Sequence, residues 1–294
     1  MKDGINPFRG LGTALITPFT CDGHVDFQSL ERLVVHQIEG GVDFLCVLGT
    51  TAETPTLSPA ERSEVMTCVA RVNGGRVPLM LGAGHNCTKL TCDYIASLDL
   101  SAFAGLLIVA PYYNKPSQEG IYRHFMTVAK ASPLPLIIYN VPGRTGVNVS
   151  AETTLRLAHD CPRIVAVKEA SGNLAQIEQI INGAPQGFNV LCGDDSLVPV
   201  LIERGARGAV SVISNAFPRE FGEVVRASSQ PCFDRLSRLI RLTMADGNPS
   251  GIKSILHAMH EAENVLRLPL VPVCNAVEDD IQEEVARVLQ TCSC

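Results

Sequence analysis

The chain has 294 residues, 46% of them apolar and 18% charged, which excludes intrinsic disorder and a coiled coil and leaves a soluble globular protein with a sizeable core. With 24 basic and 30 acidic side chains its formal charge is −6, and no Lys/Arg block could track a phosphate backbone, so no nucleic-acid partner is expected. The start, Met1-Lys2-Asp3-Gly4-Ile5-Asn6-Pro7, lacks the apolar core of a signal peptide, and no apolar run approaches the ~18–20 residues that span a bilayer, so the expectation is a cytoplasmic protein with no membrane partner.

In chain order, short apolar runs bounded by Gly, Pro, Asn or Asp fall at residues 12–17, 42–49, 77–82, 105–110, 136–140, 164–168, 189–192 and 208–212. They recur at intervals of about 30 residues, the period of a βα unit. Most are continuously apolar, as parallel strands covered on both faces require. Helical patterns lie between them. One starts at Asp26; another starts at Ser58, with Pro59 at the first helical position and Glu61 placed for a capping box. The predicted fold class is α/β, a (β/α)8 TIM barrel, with an open doubly wound sheet as the alternative that pattern alone allows. After Val212 the strand signal stops. From about Phe233 helical periodicity dominates, interrupted at Gly247-Asn248-Pro249 and Leu268-Pro269, which divides the chain into a catalytic barrel over 1–231 and a helical C-terminal region over 232–294.

Reactive groups of such barrels lie at the C-terminal ends of strands. Four endings are polar: Gly49-Thr50-Thr51-Ala52-Glu53, Pro111-Tyr112-Tyr113-Asn114, the stretch from Tyr139 to Gly146, and Val167-Lys168-Glu169-Ala170. Of six lysines, only Lys168 continues a strand-like apolar run. Burial disfavours a charged amine, and the neutral amine is the form that attacks a carbonyl. The structural alternative is a lysine paired with Glu169 or Asp194. Tyr139 ends the preceding strand, where a phenol could move the protons that carbinolamine and enamine formation require, or simply pack there with its hydroxyl satisfied. Thr50 and Thr51 follow a Gly49 turn that suits a keto-acid carboxylate, or an ordinary helix cap. Arg144 could clamp a second carboxylate bidentately, or be merely solvated.

Other chemistries score low. Eleven cysteines at irregular spacings, with no Cys-x-x-Cys, read as reduced thiols, and Cys292 and Cys294 as an oxidation liability. Gly82-Ala83-Gly84 lacks the rest of a dinucleotide fingerprint. His257 and His260 have no third ligand at metal-site spacing, so neither a cofactor nor a zinc-dependent aldolase is expected.

The stretch Tyr139-Asn140-Val141-Pro142-Gly143-Arg144-Thr145-Gly146, the stretch Val167-Lys168-Glu169-Ala170-Ser171-Gly172-Asn173-Leu174, Gly49-Thr50-Thr51, and Pro111-Tyr112-Tyr113-Asn114-Lys115-Pro116 together resemble the dihydrodipicolinate synthase and N-acetylneuraminate lyase family over nearly the whole chain. The resemblance implies that Lys168 forms an imine with pyruvate, that Tyr139 shuttles protons, and that Thr50 and a neighbouring subunit's Tyr113 complete the relay. It further implies that Thr51, Gly193 and Val210 hold pyruvate, that Arg144 takes the carboxylate of aspartate semialdehyde, and that the assembly is a homotetramer, a dimer of dimers. Arginine in the Pro-Gly-Arg-Thr stretch favours synthesis of the diaminopimelate and lysine precursor over the same-fold alternative, a 2-keto-3-deoxy sugar acid aldolase or N-acetylneuraminate lyase. A non-catalytic metabolite-binding barrel is the other reading.

Three departures from the family pattern stand out. Ala52 replaces a glycine, and Ser250-Gly251 interrupts an Asn-Pro-x-Pro-Val-Lys pattern over 248–253; neither removes a catalytic group, and both bear on substrate preference. At the family's lysine-feedback site, Pro59 and Leu90 stand where lysine-inhibited members carry a histidine and a glutamate, while Asn86 and Tyr112 are retained. Weak or absent inhibition by lysine is the expectation.

Overall fold

A strand that is apolar at every position can leave water only if both of its faces are covered, and closing a parallel sheet on itself inside a ring of helices achieves this. The computed structural model describes residues 6–291; residues 1–5 and the pair Cys292 and Cys294 lie outside the described residues. The strands are β1 (Gly10–Ala14), β2 (Phe44–Val47), β3 (Leu79–Gly82), β4 (Gly105–Val109), β5 (Leu136–Asn140), β6 (Ile164–Glu169), β7 (Asn189–Cys192) and β8 (Gly208–Ser211). They pair in chain order, all parallel, and β8 closes on β1 in the register Gly10 to Gly208 and Thr13 to Ser211. The open-sheet alternative is thereby set aside.

Alternate side chains along each strand separate into two cores. Phe44, Met80, Leu107, Ile137 and Leu191 point inward and, with Phe8, fill the barrel. Leu45, Leu81, Ile108, Ile138 and Val167 point outward against the helices. At the bottom Phe8 and Phe44 meet edge to face with centroids 5.5 Å apart. Gly12 is required beside them, because a Cβ there would stand 2.1 Å from the Phe44 ring.

Strand ends differ from expectation where side chains replace the ladder. β1 begins at Gly10 and stops at Ala14; beyond it Ile16 donates its N–H to Asn215 Oδ1 at 3.2 Å, and the Thr17 hydroxyl donates to Ala52 O at 2.8 Å. β2 ends at Val47 because Leu48 turns into the left-handed region at φ 53°. The Ser58 cap forms as predicted: Glu61 N–H donates to Ser58 Oγ at 3.2 Å, and Ser58 N–H donates to Glu61 Oε2 at 2.8 Å.

Three helices follow the barrel's last surrounding helix, at Gln230–Ala245, Ser250–Ala258 and Asn275–Thr291, separated at the two predicted breaks. Ser250-Gly251 is a packing feature here. A Cβ on Gly251 would lie 2.6 Å from Leu242 O, so glycine lets the second helix cross the first closely, while Ser250 Oγ donates to Val271 O at 2.7 Å. The nine cysteines among the described residues are free thiols, and no described helix is long and apolar enough to cross a membrane.

Candidate active site

The pleat that sorts the two cores also sorts the polar residues ending β5 and β6. Tyr139 and Lys168 are register partners, and both point into the barrel; their neighbours Asn140 and Glu169 point out. Lys168 Nζ lies 4.5 Å from the centre of the Tyr139 ring, and the two side chains are only 5% and 7% exposed. Neither carboxylate considered for Lys168 pairs with it. Glu169 accepts hydrogen bonds from Asn140 Nδ2, from Ser171 Oγ at 2.6 Å and from Gln176 Nε2 at 3.4 Å, and burial raises its carboxyl above the usual range. Asp194 caps the next turn, accepting from Ser196 N–H at 3.0 Å and Ser196 Oγ at 2.7 Å. What faces Lys168 is the Tyr139 ring. Gly193 makes room for it, since a Cβ at that position would stand 3.0 Å from Lys168 Cε. Val210 closes the same inner cluster from β8.

The turn after β2 is held from outside the barrel. Thr50–Ala52 form one 3-10 turn bracketed by two left-handed residues, Leu48 and Glu53, each at φ 53°. Its first internal hydrogen bond is Ala52 N–H to Gly49 O at 3.2 Å, so the amides of Thr50 and Thr51 precede the bonded ladder, where an anion is favoured. Thr51 is 2% exposed, and its Oγ1 accepts from Asn248 Nδ2 at 3.0 Å. Glu53 is buried and paired with Lys253 of the C-terminal region at 2.5 Å, while its other oxygen accepts from Arg267 N–H at 3.0 Å. Ala52 is 2% exposed, and its carbonyl accepts from Thr17, so the methyl group that departs from the family pattern is accommodated in the core.

Arg144 sits in the single helical turn Pro142–Thr145 and donates from Nη2 to Asn248 O at 2.9 Å. Tyr113 lies next to it in space through the bond from Tyr113 N–H to Thr145 O at 3.2 Å. Its backbone is left-handed at φ 74°, a strained conformation for a non-glycine residue, and its ring is 87% exposed. Within one chain the Tyr113 ring is therefore not packed into the barrel mouth beside Tyr139.

Sequence reasoning missed three groups. Asn248 and Lys253 were read only as positions in the helical tail, yet both reach the Thr50–Glu53 turn. Asp195, in the turn after β7, accepts from Val212 N–H at 2.9 Å and Ile213 N–H at 2.8 Å and so fixes the chain just beyond Val210; burial pushes its carboxyl up to about 6. No spacing rule marks such contacts, because each joins segments remote in sequence.

A buried lysine with no carboxylate partner among the described residues, beside a phenol at the C-terminal end of a barrel strand, fits a Schiff-base-forming lyase of the class I aldolase type. The profile of the Dihydrodipicolinate synthetase family matches residues 7–291, and the chain belongs to that family. It is 49% identical to a 4-hydroxy-tetrahydrodipicolinate synthase of Phocaeicola vulgatus over 271 residues, covering 90% of this chain and 91% of the relative. Among solved structures it is similar to dihydrodipicolinate synthase from Thermotoga maritima, with a TM-score of 0.92 and 37% identity over 97% of this chain and 99% of that one. It is also similar to the Acinetobacter baumannii dihydrodipicolinate synthase complexed with pyruvate, with a TM-score of 0.91 and 34% identity over 95% and 98% of the two chains.

Proposed function

We propose that the chain condenses pyruvate with aspartate semialdehyde to give 4-hydroxy-tetrahydrodipicolinate, the precursor of diaminopimelate and lysine, through an imine on Lys168. The observation that carries this is Lys168, 5% exposed inside the barrel, with no carboxylate partner among the described residues and the Tyr139 ring 4.5 Å from its amine. An amine so placed attacks the ketone carbon of pyruvate, water leaves, and loss of a proton from the methyl carbon gives the enamine that adds to the aldehyde; the semialdehyde's own amine then attacks the resulting imine carbon, closing the ring and expelling Lys168 as the free amine. Tyr139, with Thr50 and the Tyr113 supplied by a neighbouring copy, moves those protons. Thr51 and the leading amides of its turn receive the pyruvate carboxylate, beside Gly193 and Val210, and Arg144 receives the carboxylate of the semialdehyde. An aromatic held out in a strained loop, 87% exposed, supports an assembly in which it enters another subunit's site, here a homotetramer working in the cytoplasm. The residues divide accordingly, the catalytic barrel over 1–231 and the helical region over 232–294.

Borohydride reduction in the presence of pyruvate tests the reading: mass spectrometry should place the reduced keto acid on Lys168, and an unmodified Lys168 would refute it. The names of the relatives favour synthesis over sugar-acid cleavage, and Arg144 is the residue that separates the two. Arg144→Ala should cut turnover of aspartate semialdehyde by about 100-fold, the scale of a lost charge-assisted contact, while pyruvate still attaches to Lys168. Equal loss of adduct formation would contradict the assignment.

Feedback is expected to be weak. Pro59 is the first residue of its helix and Leu90, 49% exposed, presents only an aliphatic chain, so neither position offers a carboxylate to the ammonium of a bound lysine. Such a charged partner is typically worth ~1.5–3 kcal/mol. Steady-state inhibition by L-lysine measures this, and an inhibition constant in the tens of micromolar or below would overturn it.

A further inference from the structure

Asn248 sits in the break between two C-terminal helices, far in sequence from every strand end, yet it touches both proposed carboxylate sites. Its side-chain Nδ2 donates to Thr51 Oγ1 at 3.0 Å, and its backbone carbonyl accepts from Arg144 Nη2 at 2.9 Å. The residue is 7% exposed, and its Oδ1 is buried without a hydrogen-bond partner among the described residues. A buried amide that gives an N–H to a hydroxyl while its oxygen acceptor goes unmet carries an energetic cost, and such a group is retained where its polarity matters.

The polarity decides what Thr51 can do. A threonine hydroxyl has one proton and two lone pairs. With one lone pair taken by Asn248 Nδ2, the proton is turned away from Asn248 and remains available to donate to an anion. With an acceptor in place of Nδ2, the proton would be drawn back toward residue 248 and the oxygen lone pairs turned to the ligand, the wrong polarity for a carboxylate.

We propose that Asn248 is a positioning residue that sets the Thr51 hydroxyl as a donor toward the pyruvate carboxylate, while its main chain, independently of its side chain, holds the Arg144 guanidinium in place. The inference rests on the proposed function, because it assigns Thr51 to pyruvate and Arg144 to the semialdehyde. It makes the helical C-terminal region part of the substrate site rather than an appendage.

The two contacts predict a split that a merely structural residue would not give. Asn248→Ala deletes the amide and keeps the carbonyl, so KM for pyruvate should rise about tenfold while kcat and KM for the semialdehyde stay within about threefold of the parent. Asn248→Asp, of nearly the same shape, exchanges the donor for an anionic acceptor and should raise KM for pyruvate by about 100-fold. In a Thr51→Val background, which has no hydroxyl to orient, Asn248→Ala should add less than about twofold. Circular dichroism and Tm establish that each variant is folded, and the near-isosteric Asp variant decides the matter if the Ala variant is not. Unchanged pyruvate KM in Asn248→Asp, or a full additional loss from Asn248→Ala in the Thr51→Val background, would overturn the proposal. The borohydride adduct on the parent enzyme keeps the readings apart: adduct formation with no Asn248 effect defeats this inference alone, whereas no adduct on Lys168 defeats the functional reading itself.

Discussion

Lys168→Arg is expected to fold, to bind nothing covalently, and to lose turnover by roughly a thousandfold or more. Arginine keeps most of the reach and carries a fixed positive charge, but its guanidinium stays protonated in proteins and offers no free electron pair to a ketone. The contrast therefore isolates nucleophilicity from charge. If Lys168 merely attracted an anionic ligand, arginine would serve nearly as well, and turnover within about tenfold of the parent would indicate electrostatic rather than covalent catalysis. Mass spectrometry after borohydride treatment with pyruvate gives the second readout, with the adduct present on the parent chain and absent from the variant. The wall beside Lys168 leaves no room for even a Cβ at Gly193, which would stand 3.0 Å from Lys168 Cε, so the larger guanidinium costs some packing. Lys168→Ala, which removes the amine without adding volume, should reproduce the loss and excludes overpacking as its cause.

Much of this was legible before any coordinates, and the reason is local. The barrel follows from eight apolar runs at a βα period, and Lys168 and Tyr139 follow from polar residues that close such runs, because strand alternation turns both inward once their register is fixed. Arg144 and Thr51 were visible as turn residues after strands. What escaped was the support behind them. Lys253 lies in a helix buried from Ser250 to Leu256, and its charge is matched there by Glu53, 200 positions away. The exposed Tyr113 was identified only through the family resemblance; a pattern of residues does not say that a strained loop will carry an aromatic ring outward. Contacts between segments remote in the chain have no sequence period, and so the strand-end residues proposed for the chemistry were readable while the C-terminal residues that contact their turns were not.

The buried Glu53–Lys253 pair should be the costliest of these supports to break. Lys253 is fully buried; its Nζ lies 2.5 Å from Glu53 Oε1, donates to Val265 O at 2.8 Å and stands 4.0 Å from the centre of the Phe19 ring. Burial pulls its pKa down to about 8, against the opposing pull of the Glu53 carboxylate. Replacing Lys253 by methionine keeps the volume and strands a carboxylate in the core with the Arg267 amide at 3.0 Å and the more distant Arg267 charge left to stabilise it. The expected loss is about 3–5 kcal/mol, and a fall in Tm on the order of 10 °C by calorimetry. Glu53→Gln combined with Lys253→Met removes both charges and retains an oxygen for the Arg267 amide, so the double variant should recover more than half of that loss. A double variant as unstable as the single one would show that the site needs the ion pair for its shape rather than for charge balance. The same cycle reads out in the active site, because Glu53 closes the left-handed end of the turn that presents Thr50 and Thr51. Lys253→Met should therefore weaken pyruvate binding as well as the fold, and the double variant should restore stability further than affinity, since a neutral glutamine holds the turn with one weaker contact where the carboxylate held it with two.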